Sequence, residues 1–162
     1  MNHQQGIRLG VGVMLVNKDK KVFLGQRADI KSSLKQPKGW QMPQGGVDPG
    51  ETLTRAAFRE LQEEIGCSHA EIIAESQDWY TYRLPEELMS KLWKGTFHSQ
   101  RQKWFLMRFL GQDQEIRLDA SPHPEFDAWC WAEPSEVLEE IIDFKKKVYE
   151  QVFQEFAWYF KT

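Results

Sequence analysis

Arg59, Glu60, Glu63 and Glu64 follow closely on a loop carrying Gly45, Gly46 and Gly50. On a helix turning about 100° per residue, the three carboxylates share an arc of roughly 100°, while Phe58, Leu61 and Ile65 occupy a separate apolar face. Bunched acids repel one another, and beyond the first turn they oppose the helix macrodipole, so such a cluster is not assembled for stability. A solvated acidic face is the ordinary explanation of a Glu-rich helix. Arg59 argues for more, because it lies beside Glu60 and four residues before Glu63, where it can orient and neutralise them. The glycines add a second argument, since they let backbone approach a ligand closely. Acids alone would repel a phosphate; acids holding a hard divalent cation attract one. The spacing therefore points to a metal-dependent phosphate site.

Such a site needs a helix anchored on a sheet. Thr52–Ile65 is the clearest helix, with Thr52 as N-cap and Gly66 as its stop. Leu9–Val16 and Lys21–Gly25 read as a hairpin around the polar turn 17–20, and Trp40–Gly50 as a short extended piece entering a Gly/Pro loop. Ala70–Tyr82, Lys103–Leu110 and Ala128–Trp131 read as further strands. The polar stretches Ala28–Gly39 and Pro85–Gln102 (with Trp93) read as connections. Helix is expected from Ser135 to the end, with Val148, Val152, Phe153, Phe156 and Phe160 as a core-facing stripe.

The 162 residues carry no repeat or low-complexity tract and suit one domain over 1–162. A content of 41% hydrophobic and 28% charged residues excludes a disordered chain. A net charge of −3 argues against holding nucleic acid, a DNA duplex above all, by bulk positive charge. No apolar run is long enough to span a membrane, and the first residues lack the basic and apolar regions of a secretory signal. Cys67 and Cys130 are too few for a disulfide framework or a four-ligand zinc site, so a cytoplasmic protein is expected. His3, His69, His98 and His123 show no metal-ligand spacing.

Gly45, five residues, Glu51, seven residues, then Arg59-Glu60-Leu61-Gln62-Glu63-Glu64-Ile65-Gly66-Cys67 resembles the Nudix box in full. The resemblance continues through Trp40–Gly46, Tyr82-Arg83-Leu84-Pro85, Gln100–Phe105, Pro124–Trp129 and Phe144-Lys145. These segments are similar to the branch holding bacterial RNA pyrophosphohydrolases and diadenosine polyphosphate hydrolases. The fold this implies is α/β, an α/β/α sandwich around a central mixed sheet. The implied activity is hydrolysis of a phosphoanhydride with Mg²⁺, or Mn²⁺.

By the same resemblance Glu60, Glu63 and Glu64 bind the metal, with Glu125 and Gly45 as further ligands. The four glutamates are the catalytic candidates, and one of them positions or deprotonates the attacking water. Glu51, Arg59 and Gly66 support the box. Arg8 and Arg27 match phosphate-contacting positions. Phe144 and Lys145 match a pair that stacks on a base and touches phosphate. Core packing is the alternative for Phe144, and a solvated basic run (Lys145-Lys146-Lys147) the simplest account of Lys145. Trp40, Trp104 and Trp129 read as core or sheet-edge aromatics. Ile7 and Leu9 depart from the branch pattern, which has Tyr and Pro there.

The expected function is Mg²⁺-dependent removal of pyrophosphate from the 5′-triphosphate end of RNA, promoting mRNA decay. The rival substrate is a dinucleoside polyphosphate such as diadenosine tetraphosphate. A non-catalytic nucleotide-binding domain would have lost box carboxylates, and Glu60, Glu63 and Glu64 are all present.

Overall fold

The computed structural model describes residues 6–27, 39–86, 96–141 and 143–161. Eight strands form one sheet: β1 (Ile7–Val16), β2 (Val22–Arg27), β3 (Trp40–Gln41), β4 (Gln44–Gly46), β5 (Ala70–Glu75), β6 (Tyr80–Arg83), β7 (Ser99–Phe109) and β8 (Phe126–Ala132). The main path runs β3-β2-β1-β7-β5, with β4 on β1, β6 on β7 and β8 on β2. β1 and β7 are parallel over ten residue pairs, from Ile7 opposite Ser99 to Val16 opposite Arg108. The other strand pairings are antiparallel, which makes the sheet mixed.

Strand alternation sends the side chains of β1 and β7 into two cores. Val11, Val13, Leu15, Phe105 and Met107 face α1 (Leu53–Ile65), meeting Ala56, Ala57, Leu61 and Ile65. Met14, Val16, Trp104 and Leu106 face the C-terminal helices α2 (Pro134–Glu140), α3 (Lys146–Glu155) and α4 (Ala157–Phe160). Val137, Val148, Tyr149, Val152 and Phe156 supply that layer, and Phe153 and Phe160 pack at its margin. The expected helix–sheet–helix layering and the C-terminal apolar stripe are both present. No helix among the described residues is long and apolar enough to cross a membrane.

Several boundaries differ from expectation. The strand expected over Ala70–Tyr82 is two, because the chain breaks at Ser76, whose N–H and hydroxyl engage the Trp104 backbone at 2.7 and 2.9 Å. β5 then pairs with the later half of β7 and β6 with its beginning. β7 starts at Ser99, not Lys103, because Gln100 and Gln102 turn inward, Gln102 Nε2 donating to Gln100 Oε1 at 2.6 Å, so a buried stretch reads as polar. β8 likewise begins earlier, at Phe126. The expected continuous C-terminal helix is interrupted at Ile141, which leaves helical geometry and bridges to Trp40, followed by a 3₁₀ turn over Asp143–Lys145. The expected loop over 28–38, Trp93 and His3 lie outside the described residues.

Candidate functional site

The carboxylate cluster rests on a well-terminated helix. The Thr52 hydroxyl accepts from the Arg55 N–H at 3.2 Å, and Gly66 closes α1 in the left-handed region with φ of 69°. Arg59 fastens this helix to the glycine loop. Its Nε and Nη2 donate to the two Glu51 oxygens at 2.7 and 2.8 Å, Nη2 also to the Gly46 carbonyl at 2.8 Å, and Nη1 to Glu60 at 2.8 Å. Glu63 receives only a long contact at 3.4 Å. Held by the guanidinium, the Glu51 carboxyl falls to about 2.

The three helix acids stand in different surroundings. Glu63 keeps 53% of its side chain exposed. Glu60 lies under the loop with 12% exposed, and burial pushes its carboxyl up to about 7 against the pull of Arg59. Glu64 is buried; Oε1 accepts the Gln44 N–H at 2.7 Å, while Oε2 has no hydrogen-bond partner. Burial first, then Glu125 and Glu60, raise the Glu64 carboxyl well above the usual carboxylate range.

Gly45 is where loop and helix meet most closely. A Cβ there would fall 2.0 Å from the Glu60 carboxyl carbon. Its strand neighbour Gly46 likewise leaves room for Arg8, whose guanidinium would meet an added Cβ at 2.4 Å.

A cleft of about 300 Å³ opens over this end of the sheet. Glu60, Glu63 and Glu125 line it together with Arg8, Arg27 and Lys145, Gln44–Gly46, Tyr82, Leu84 and Phe144. Arg27 Nε lies 3.4 Å from Glu125 Oε2. Lys145 is buried, not part of a solvated run. Its ammonium donates to Gln41 Oε1 at 2.6 Å and lies 5.2 Å from the Tyr82 ring centre and 5.7 Å from that of Phe144. Only Lys146 and Lys147 are exposed, because the 3₁₀ turn aims Lys145 inward. Phe144 is half-buried against Tyr82, with ring centres 5.8 Å apart, so it joins the core and still lines the cleft. Trp104 is wholly core, while Trp40 and Trp129 are half-buried.

Sequence reasoning assigned no role to the floor of this cleft. Gln44 Nε2 donates to the Tyr82 hydroxyl at 2.9 Å, and Gln102 Nε2 donates to Gln44 at 3.1 Å and Gln100 at 2.6 Å. Trp104 Nε1 donates to Gln102 at 3.1 Å. Burial pushes the Tyr82 hydroxyl up to about 12, so it stays protonated at neutral pH. The alternate glutamines at 100 and 102 were the available signal, since a period of two marks one strand face.

The residues fit a divalent cation chemically. They offer hard oxygen donors, a buried carboxylate oxygen lacking a partner, and a glycine that removes the obstacle beside Glu60. Among the described residues no three acidic, histidine or cysteine groups converge on one cation-sized point. Arg59 stands between Glu60 and Glu63 and draws on both.

The NUDIX domain profile matches residues 6–152. RNA pyrophosphohydrolases of Rickettsia canadensis (strain McKiel) and Rickettsia bellii (strain OSU 85-389) are each 51% identical over 149 residues, covering 92% of this chain and 89% of theirs. The fold resembles that of the E. coli dihydroneopterin triphosphate pyrophosphohydrolase, with a TM-score of 0.65, 19% identity, and coverage of 93% of this chain and 97% of that one. A C. elegans Ap4A hydrolase matches with a TM-score of 0.60, 19% identity, and coverage of 91% and 98%. The sequence match spans the sheet, the glycine loop and the acidic helix alike, and the chain belongs to the NUDIX domain family.

Proposed function

We propose that this Nudix hydrolase removes pyrophosphate, or phosphates in succession, from the 5′-triphosphate end of RNA and so promotes mRNA decay. The observation that carries the reading is one cleft lined both by carboxylates and by Arg8, Arg27 and Lys145. Its size suits a terminus, not a duplex. The two 51%-identical relatives, both RNA pyrophosphohydrolases, support the same substrate class.

Nudix hydrolases generally need divalent cations, and Glu60, Glu63, Glu64 and Glu125, with the Gly45 backbone, are the groups that would hold Mg²⁺ (or Mn²⁺) here. When bound, the ion offsets charge on the phosphate oxygens and acidifies water. Arg8, Arg27 and Lys145 bind and orient the polyphosphate, which lowers the entropic barrier to attack. One of the cleft carboxylates aligns the attacking water and accepts its proton as the new P–O bond forms and the bridging one breaks. Phe144 offers an aromatic edge to the first bases, an interaction that tolerates any base. Arg59, Glu51 and Gly66 act at a distance by fixing helix against loop. The enzyme acts in the cytoplasm, a compartment that agrees with a chain holding two cysteines, too few for a disulfide framework.

Two measurements test the reading. With a triphosphorylated oligonucleotide and diadenosine tetraphosphate competing at equal concentration, the RNA is consumed faster; the reverse order makes the dinucleotide the substrate. Replacing Glu63 and Glu64 together by Gln abolishes turnover while the circular dichroism spectrum stays unchanged. Retained activity in that variant removes the carboxylates from the chemistry.

A further inference from the structure

Three cations of the strands beside the cleft, Arg83, Arg101 and Lys103, lie outside its lining. β6 and β7 pair with Tyr82 opposite Gln100 and Thr81 opposite Arg101. Alternation therefore turns Tyr82, Gln100 and Gln102 to the cleft side and Arg83, Arg101 and Lys103 to the other. Arg83 is exposed, and Arg101 and Lys103 are half-buried. Arg101 and Lys103 lie over the ring of Trp79, 5.0 and 5.4 Å from its centre, and Lys103 also donates to the Gln77 carbonyl at 3.2 Å. Residues two apart on one strand face lie about 7 Å apart, as do diagonal neighbours across a pair. Three like charges at that stride repel one another. They interrupt the surface of a chain whose net charge is −3.

We propose that Arg83, Arg101 and Lys103 form a strip that binds backbone phosphates of the RNA downstream of its 5′ end, as the single strand leaves the cleft across β6. Two observations single out RNA over an acidic protein surface. Arg83 lies on β6, which pairs with β7 off the main path of the sheet, so an RNA strand passing over β6 goes from the face of Tyr82 and Leu84, which line the cleft, to the face of Arg83. The cations repeat at a stride that the phosphates of an extended strand can match. Trp79 holds the Arg101 and Lys103 heads in place, which reduces the freedom they lose on binding. The strip rests on the RNA reading of the cleft.

The test is the variant Arg83→Gln/Arg101→Gln/Lys103→Gln, which removes charge and keeps the aliphatic stems. Its kcat/KM on a triphosphorylated dinucleotide stays within twofold of wild type, while KM for a triphosphorylated twelve-nucleotide strand rises about tenfold. The log–log salt slope of twelve-mer binding falls by about 2, at roughly 0.7 for each phosphate no longer neutralised. Equal responses of the short and long substrates, or an unchanged slope, overturn the strip. Anisotropy with a 5′-hydroxyl twelve-mer separates the two claims. If wild type cleaves no triphosphorylated RNA, the cleft reading fails, and weaker twelve-mer binding by the variant still supports the strip. Equal binding by both proteins overturns the strip alone.

Discussion

Glu60 and Glu64 are carboxyls held where charge is costly, and that cost sets how the metal-free protein responds to pH. The Glu60 carboxyl stands at about 7 when folded, against 4.5 unperturbed. Between those values the folded chain holds a proton that the unfolded chain has released, so stability falls as pH rises through this window and levels off above about 7. Glu64, also raised by burial, acts in the same direction. Glu51, lowered to about 2, acts oppositely and costs stability only as pH drops below 4.5. Urea unfolding in a chelator should lose about 2–3 kcal/mol between pH 4.5 and 7.5. Adding Mg²⁺ at pH 7.5 should recover it, because a cation bound to the folded state supplies the countercharge. A flat chelated profile would show that these carboxyls are better solvated than their burial implies.

At the scale of elements, α1 was legible from sequence because its determinants are local. Thr52 caps it, the Phe58/Leu61/Ile65 face buries it, and Gly66 ends it. Gly66→Ala should cost about 2–3 kcal/mol, since a Cβ is strained in left-handed geometry and would also meet the Arg117 carbonyl at 2.5 Å. A fall in Tm of roughly 5–10 °C, with activity of the folded fraction retained, is the expected result. Elements that depend on remote partners are not legible in local sequence. The break at Ser76 needs the Trp104 backbone, and the stop at Ile141 needs Trp40. Gln100 and Gln102 hide the start of β7 because the partners of the buried Gln102 amide, Gln44 and Gln100, lie on β4 and on β7 itself.

Across the whole molecule, the C-terminal layer is pinned to the segment leading into the glycine loop by contacts more than a hundred residues apart in sequence. The Met42 N–H donates to the Tyr149 hydroxyl at 2.8 Å, and Lys145 donates to Gln41. Tyr149→Phe would strand a buried N–H and should cost about 1–3 kcal/mol in urea unfolding. No measurable loss would mean that the layer is held by apolar packing alone.

Taken alone, the sequence determined the family, the layered α/β architecture and the acidic helix behind its glycine loop, because capping, periodicity and motif spacing act over a few residues. Only the tertiary structure decided that Lys145 is buried against two rings, that Phe144 serves core and cleft together, and that Gln44 and Tyr82 line the site with Gln102 hydrogen-bonded to Gln44. Those outcomes depend on which side chains from distant elements share a face, and burial of that kind is a property of packing that no local spacing encodes.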